Sequence, residues 1–153
     1  LEAIKRDGVP YDLISKSLPT VEGAVNDILS QIVDFNIIFN MDGKQIDTHI
    51  VYDDDKVWPL ELSSGMERFI SSLAIRASLI NVSNLPRSNF LAIDEGWGTM
   101  DSDNINSVYG LFQYLKTQFQ FSLIVSHIDS MRDAVDMLLE VKKEGSHSNI
   151  IFD

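Results

Sequence analysis

Apolar positions in this chain follow two rhythms. Val21, Val25, Ile28 or Leu29, and Ile32 recur at three- and four-residue steps, which predicts an amphipathic helix from Thr20. Phe69, Ile70, Leu73, Ala74, Ala77 and Ile80 predict a second helix of about four turns. Ile105, Val108, Tyr109, Phe112 and Leu115 predict a third, which Asp101 or Ser102 can cap. Short apolar bursts lie between these runs. "FNIIF" at 35–39 and the alternating "IDTHIVY" at 46–52 read as strands joined at Asp42-Gly43, where both residues tolerate positive φ. "FLAI" at 90–93 and "FSLIVS" at 121–126 read as buried strands, the second followed by a helix from about Asp129. "MLLEV", a Lys-Lys-Glu-Gly turn and "NIIF" read as a closing hairpin. Residues 1–19, broken by Gly8-Val9-Pro10 and Leu18-Pro19, read as a loose lead-in with short helical pieces. Strand, helix, strand, helix with parallel-type strands predicts an α/β layer.

Composition narrows the class. The 153 residues, 44% apolar and 23% charged, suffice for one globular domain with a real core. No apolar run approaches the roughly 20 residues that span a bilayer, and the first residues do not read as a secretion signal. The absence of cysteine excludes disulfides and thiolate metal sites, and fits an intracellular setting. Charge is lopsided, 12 basic against 23 acidic residues for a net −11, with the basic ones scattered. A nucleic-acid surface needs clustered Lys and Arg, so this chain alone is expected to bind DNA poorly.

Three places carry candidate chemistry. In "NFLAIDEGWGTMD" a strand runs into Asp94 and Glu95, then through a loop with two glycines to Asp101. Ligand crevices of open α/β sheets lie beyond the carboxyl ends of strands, where Ser126-His127 also falls. Adjacent carboxylates repel unless a cation or proton offsets them, and a hydrated Mg²⁺ on a phosphate is a natural partner. Taken alone, Asp94-Glu95 also reads as a plain strand end. The third place is Ser64-Gly65-Met66-Glu67. Ser-x-x-Glu before an apolar run is a helix capping box, which accounts for Ser64 and Glu67 without a ligand. Gly65 in the first turn, about 1 kcal/mol worse than alanine, suits a backbone lying close to a bound anion. Asp53-Asp54-Asp55 reads as a solvated turn, and His49 and His147 as surface or packing residues.

Taken in order, these pieces resemble the ABC-type ATPases, and in detail the SMC-like ATPases of double-strand-break repair, of the SbcC type. "SSGMERFISSLAIRASL" resembles that family's signature motif and the helix it opens. "LAIDEGWGTMD" resembles its Walker B strand and D-loop, "LIVSHID" its switch-histidine segment, and "LPTVEGAVNDIL" the stretch where the returning coiled coil meets the head. The resemblance covers about residues 18–152. It departs at Met66, which stands where the family has a second small residue. The side chain there either crowds a nucleotide or points to solvent. No Gly-x-x-x-x-Gly-Lys-Ser/Thr phosphate loop occurs in the sequence.

The resemblance implies an α/β fold, the carboxy-terminal lobe of an ABC-type P-loop ATPase head, with buried strands, flanking helices and β-hairpins. Residues 1–19 would lead in from the coil, and 20–153 would form the lobe. It implies ATP and Mg²⁺ as cofactors, with Asp94 holding the metal through water and Glu95 polarising the attacking water. His127 would sense the γ-phosphate, and Asp101 would reach across the head dimer. Ser64, with Gly65, Met66 and Glu67, would bind the nucleotide of the opposite head. Arg76 resembles the residue coupling signature-helix rotation to the head, and reads equally as a surface arginine. Implied partners are the amino-terminal Walker A lobe, a second copy of the head and a nuclease subunit. DNA would be met mainly through parts outside this chain, and no membrane is implied. The function implied is ATP-driven head pairing and hydrolysis controlling access of DNA to the nuclease, with this chain inactive alone. The alternatives are a chromosome-structuring SMC head that clamps with little turnover, and an ABC transporter subunit, which needs its phosphate loop contiguous with this region.

Overall fold

The computed structural model describes residues 9–42, 45–52, 56–83, 86–94, 105–127 and 129–152. Helix α1 (Val9–Leu29) runs without a break through residues 9–19 of the expected lead-in. Pro10 sits in the first turn, where a missing N–H is harmless, but Pro19 lies inside the helix, at a penalty of about 3 kcal/mol. Burial of Val21, Val25, Ile28 and Leu29 offsets this, at about 1.5–3 kcal/mol each. The apolar stripe continues backwards at four- and three-residue steps to half-buried Leu18 and exposed Ile14. The first half of α1 therefore carries an apolar seam that the rest of the lobe does not fully cover.

Strands β1 (Asn36–Asp42), β2 (Gln45–Tyr52) and β3 (Lys56–Pro59) form an antiparallel sheet in that order. Asp42 pairs with Gln45, so the hairpin loop lies one residue later than the Asp42-Gly43 signal suggested. β3 carries no alternation long enough to read from sequence; its pairing of Trp58 with Ile50 defines it. The free edge of β1 is closed by side chains of α1. Asn26 accepts from the Ile37 N–H at 2.8 Å and donates to its carbonyl at 2.9 Å, and Glu22 accepts from the Phe39 N–H at 2.8 Å. These bonds satisfy edge groups that would otherwise invite another strand.

A short tight helix (Leu60–Leu62) leads into α2 (Gly65–Val82). Strand β4 (Phe90–Asp94), helix α3 (Ile105–Gln118) and strand β5 (Phe121–Val125) follow, and β4 and β5 pair in parallel. The core joins Leu29, Ile37, Ile50, Ile70, Leu111 and Leu115, all essentially inaccessible, across the three-stranded sheet and three helices. Leu111, absent from the expected face of the third helix, is among them.

The expectation that β4 and β5 are buried needs correction. Ile93 is buried and Leu91 and Ile124 pack against the core, but Phe90, Phe121, Leu123 and Val125 are 47%, 58%, 39% and 47% exposed. Parallel strands read as continuous apolar runs because both faces are normally covered. In this lobe only one face is covered, and the other presents Phe90 stacked on Phe121 at 5.5 Å. The helix expected from Asp129 is a six-residue tight helix (Asp129–Ala134). In the closing hairpin, β6 (Leu139–Glu144) runs through the lysine pair, and β7 (His147–Phe152) follows a turn at Gly145-Ser146. Gly145 takes φ +63, a conformation costly for other residues. No helix among the described residues is long and apolar enough to cross a membrane.

Candidate functional site

The first turn of α2 is built by its sequence. Ser64, in extended conformation, is the N-cap: its Oγ accepts from the Glu67 N–H at 3.2 Å, and Glu67 Oε2 accepts from the Ser64 N–H at 2.7 Å. This is the capping box expected from Ser-x-x-Glu. It does not exclude an anion. The box uses a lone pair of the Ser64 hydroxyl, whose proton also reaches the Glu67 carboxylate and can rotate toward a ligand instead. First-turn N–H groups have no acceptor within a helix, so those of Gly65 and Met66 also remain to meet a ligand.

Glu67 has a second partner. Its Oε1 accepts from the Tyr52 hydroxyl at 2.5 Å, tying α2 to the end of β2. Burial alone would push the Glu67 carboxyl up, but the bonds from Tyr52 and Ser64 outweigh it and hold the group below its ordinary value. Burial, followed by the bond to Glu67 and its charge, pushes Tyr52 up to about 12. Sequence reasoning missed Tyr52, because nothing in a strand-ending tyrosine announces a partner 15 residues away.

Met66 is 4% exposed and packs into the core. It does not point to solvent, one of the two outcomes expected from sequence, and it also lines the cleft beside Ser64. At this turn the second helical position faces inward, so a large apolar side chain is accommodated. Arg76 lies exposed further along α2, and no ion pair involves it among the described residues.

The second cluster lies at the end of the parallel pair. Asp94 is the register partner of Val125, so Asp94 and Ser126-His127 leave the sheet side by side, all exposed. The Ser126 hydroxyl donates to the sulfur of buried Met131 at 3.2 Å, which anchors the segment carrying His127. Glu95 and Asp101 lie outside the described residues, as do their expected roles on the loop after β4.

Two cavities fix how the clusters are disposed. A cleft of about 200 Å³ between the first turns of α2 and α3 is lined by Ser64, Met66, Glu67 and Ser107, with Asp34 and Phe35. A smaller one of about 70 Å³ joins the far ends of the same helices, at Asn81 and Gln118, to Asn89 just before β4. Both helices thus run opposite to β4, and their amino ends lie at the end of the lobe where β4 and β5 finish. Ser64 makes no hydrogen bond to Asp94 or His127 among the described residues; they occupy one end of the lobe without forming one pocket.

The donors at the strand ends are a carboxylate and a hydroxyl, hard oxygen ligands suited to Mg²⁺. Among the described residues no three acidic or histidine groups gather closely enough to hold a metal by themselves.

No protein-family model matches the chain. An uncharacterized protein of Acanthamoeba polyphaga mimivirus is 37% identical over 95% of this chain and 12% of its own length. The SbcC component of the SbcCD nuclease from Deinococcus radiodurans is 32% identical over 58% of this chain and 10% of its own length. The corresponding protein of Pseudomonas aeruginosa is 30% identical over 54% and 7%. The chain thus spans about a tenth of the length of the curated relatives it matches. Among solved structures, an SMC ATPase studied for ATP-driven dimerization and DNA-stimulated activation aligns over 92% of this chain and 88% of its own, with TM-score 0.74 and 14% identity. The SMC head domain of Thermotoga maritima aligns over 93% and 50%, with TM-score 0.64 and 22% identity. These likenesses show the fold, that of SMC head domains.

Proposed function

We propose, from the premise that this chain is a lobe of an SMC-like ATPase head of the SbcC type, that it supplies half of a composite ATP site in a larger protein. The observation that carries the proposal is the parallel register of β4 and β5, which sets Asp94 beside the Ser126-His127 segment at the strand ends.

In the complete head, Asp94 holds the magnesium of Mg²⁺-ATP through its water shell. The ion supplies charge neutralisation of the phosphates. Glu95, next in the chain, orients and polarises the attacking water as general base. His127 donates to the terminal phosphate and senses its presence. The phosphates themselves need a phosphate loop, which this sequence lacks. An amino-terminal lobe provides it, and the bare apolar face of β4–β5 with its stacked Phe90 and Phe121 is where that lobe docks. Alone, the chain does not turn over ATP.

Ser64 acts in trans. Its hydroxyl proton and the Gly65 and Met66 N–H groups bind the terminal phosphate held by a second head, and Asp101 couples the two sites across that interface. ATP then joins the heads and hydrolysis parts them. The apolar seam along the first half of α1 supports residues 1–19 as the continuation of a returning coiled coil, because four- and three-residue spacing is what such a coil requires. The relatives named as nuclease components support a nuclease partner, and head pairing would then govern that partner's access to DNA. The experiment is ATP-dependent pairing of the complete protein, read by gel filtration. Ser64→Arg is expected to abolish pairing while ATP binding at the home site persists. Pairing equal to wild type would leave Ser64 as a helix cap only.

A further inference from the structure

The signature turn is held by a residue outside the signature. Tyr52, the last residue of β2, places its hydroxyl 2.5 Å from Glu67 Oε1, while the other oxygen of the same carboxylate accepts from the Ser64 N–H at 2.7 Å. Ser64 Oγ in turn accepts from the Glu67 N–H at 3.2 Å. Three residues thus form one network of hydrogen bonds, with the exposed Ser64 hydroxyl at its edge. The Tyr52 ring is itself fixed, 6.1 Å from the buried Phe35 ring.

A glutamate in a helix's first turn has several rotamers, and only one closes the capping box. Left to itself, the carboxylate also competes for the N–H groups of Gly65 and Met66, the donors a phosphate would use. Binding one oxygen to Tyr52 and the other to the Ser64 N–H removes that competition and fixes the Ser64 backbone.

We infer that Tyr52 is a positioning residue for phosphate recognition: by anchoring Glu67 to the β-sheet it holds Ser64 and the first N–H groups of α2 open toward the nucleotide of the opposite head. The inference rests on the trans role of Ser64 proposed above. It adds that the antiparallel sheet, through Tyr52, sets the affinity of head pairing. A displacement of β2 relative to α2 would therefore reach the partner's ATP through one hydroxyl.

The test uses the complete protein with Tyr52→Phe, which keeps the ring and removes the hydroxyl, beside Ser64→Ala and the double variant. Three quantities are read: ATP affinity of the separated heads, the ATP-dependent dimer dissociation constant, and the melting temperature without nucleotide. Tyr52→Phe is expected to weaken pairing about tenfold, the order of one lost charge-assisted hydrogen bond, with home-site ATP affinity unchanged. In the double variant the two effects should fail to add, because both act on one group. A purely structural role would lower the melting temperature and leave pairing unchanged once folded protein is compared, which would overturn the inference. If Ser64→Ala weakens pairing and Tyr52→Phe does not, Tyr52 is dismissed and the trans role of Ser64 stands. If neither variant weakens pairing, the parent reading fails with it.

Discussion

Replacing Met66 by glycine restores the small residue that the signature motif ordinarily carries, and the structure says the change is harmful. Met66 is 4% exposed and belongs to the same core as Ile70 and Ala74. Truncating a buried methionine to alanine costs about 2–5 kcal/mol, and glycine adds about 1 kcal/mol within a helix. The residue also lines the cleft beside Ser64, so part of the vacated space opens to water rather than becoming a closed void. That argues for the low end, about 3 kcal/mol in total. In a domain of this size such a loss lowers the melting temperature by about 6–12 °C. Thermal denaturation of the nucleotide-free complete protein measures it, with Met66→Ala separating the lost side chain from the backbone effect. Met66→Gly should melt lowest, Met66→Ala in between. ATP-dependent pairing should not improve. An unchanged melting temperature combined with tighter pairing would refute the reasoning, since Met66 would then be a steric obstacle to the ligand and not a core residue.

Other consequences follow from single contacts. The hydroxyls of Ser71 and Ser78, fully buried on α2, have no hydrogen-bond partner among the described residues. Ser71→Ala and Ser78→Ala should each therefore raise stability, by about 1 kcal/mol, in thermal melts; a drop of similar size would show that the hydroxyls are paired. The depressed Glu67 carboxyl contributes stability that is present above its unfolded-state value, near 4.5, and lost as pH falls through its lower folded-state value. Glu67→Gln should flatten the acid limb of a stability–pH curve, and an identical limb would remove Glu67 from it. Tyr52, pushed up to about 12, should ionise above the ordinary range of a phenol in an absorbance titration, and Tyr52→Phe should delete that step. Phe121→Asp, at a side chain 58% exposed, should leave the lobe folded but prevent its association with an amino-terminal lobe on co-expression. Undiminished association would mean that the bare sheet face is not the docking surface.

Much of the site could be read from sequence because its chemistry is local. Ser64 and Glu67 fall three residues apart in a helix turn, and the capping box follows from that spacing. Asp94 and His127 follow apolar bursts of four to six residues, so their place at strand ends was legible. Their adjacency was not, since it depends on β4 and β5 being register partners. Propensity misled at Pro19. A proline inside a helix reads as a break unless the burial of Val21, Val25, Ile28 and Leu29 is weighed against it. The spacing of Ile14, Leu18, Val21, Val25 and Ile28 was available as a counter-signal. Apolar runs report that a strand can be covered on both faces, not that this chain covers it, which is why β4 and β5 were expected to be buried. Tyr52 acts through a partner 15 residues away, and no pattern along one chain reveals it. Lys56–Pro59 is a strand only because β2 pairs with it.

On the proposed function, Asp94 at the end of β4 and Glu95, next in sequence, serve a Mg²⁺-ATP completed by a second lobe. Glu95→Gln in the complete protein tests it most directly, by measuring phosphate release and ATP-dependent pairing on the same preparation. Loss of a general base should cut turnover by about 10²–10⁴-fold while pairing in ATP persists or strengthens, because the joined heads can no longer hydrolyse their way apart. Turnover close to wild type would contradict the account at its centre.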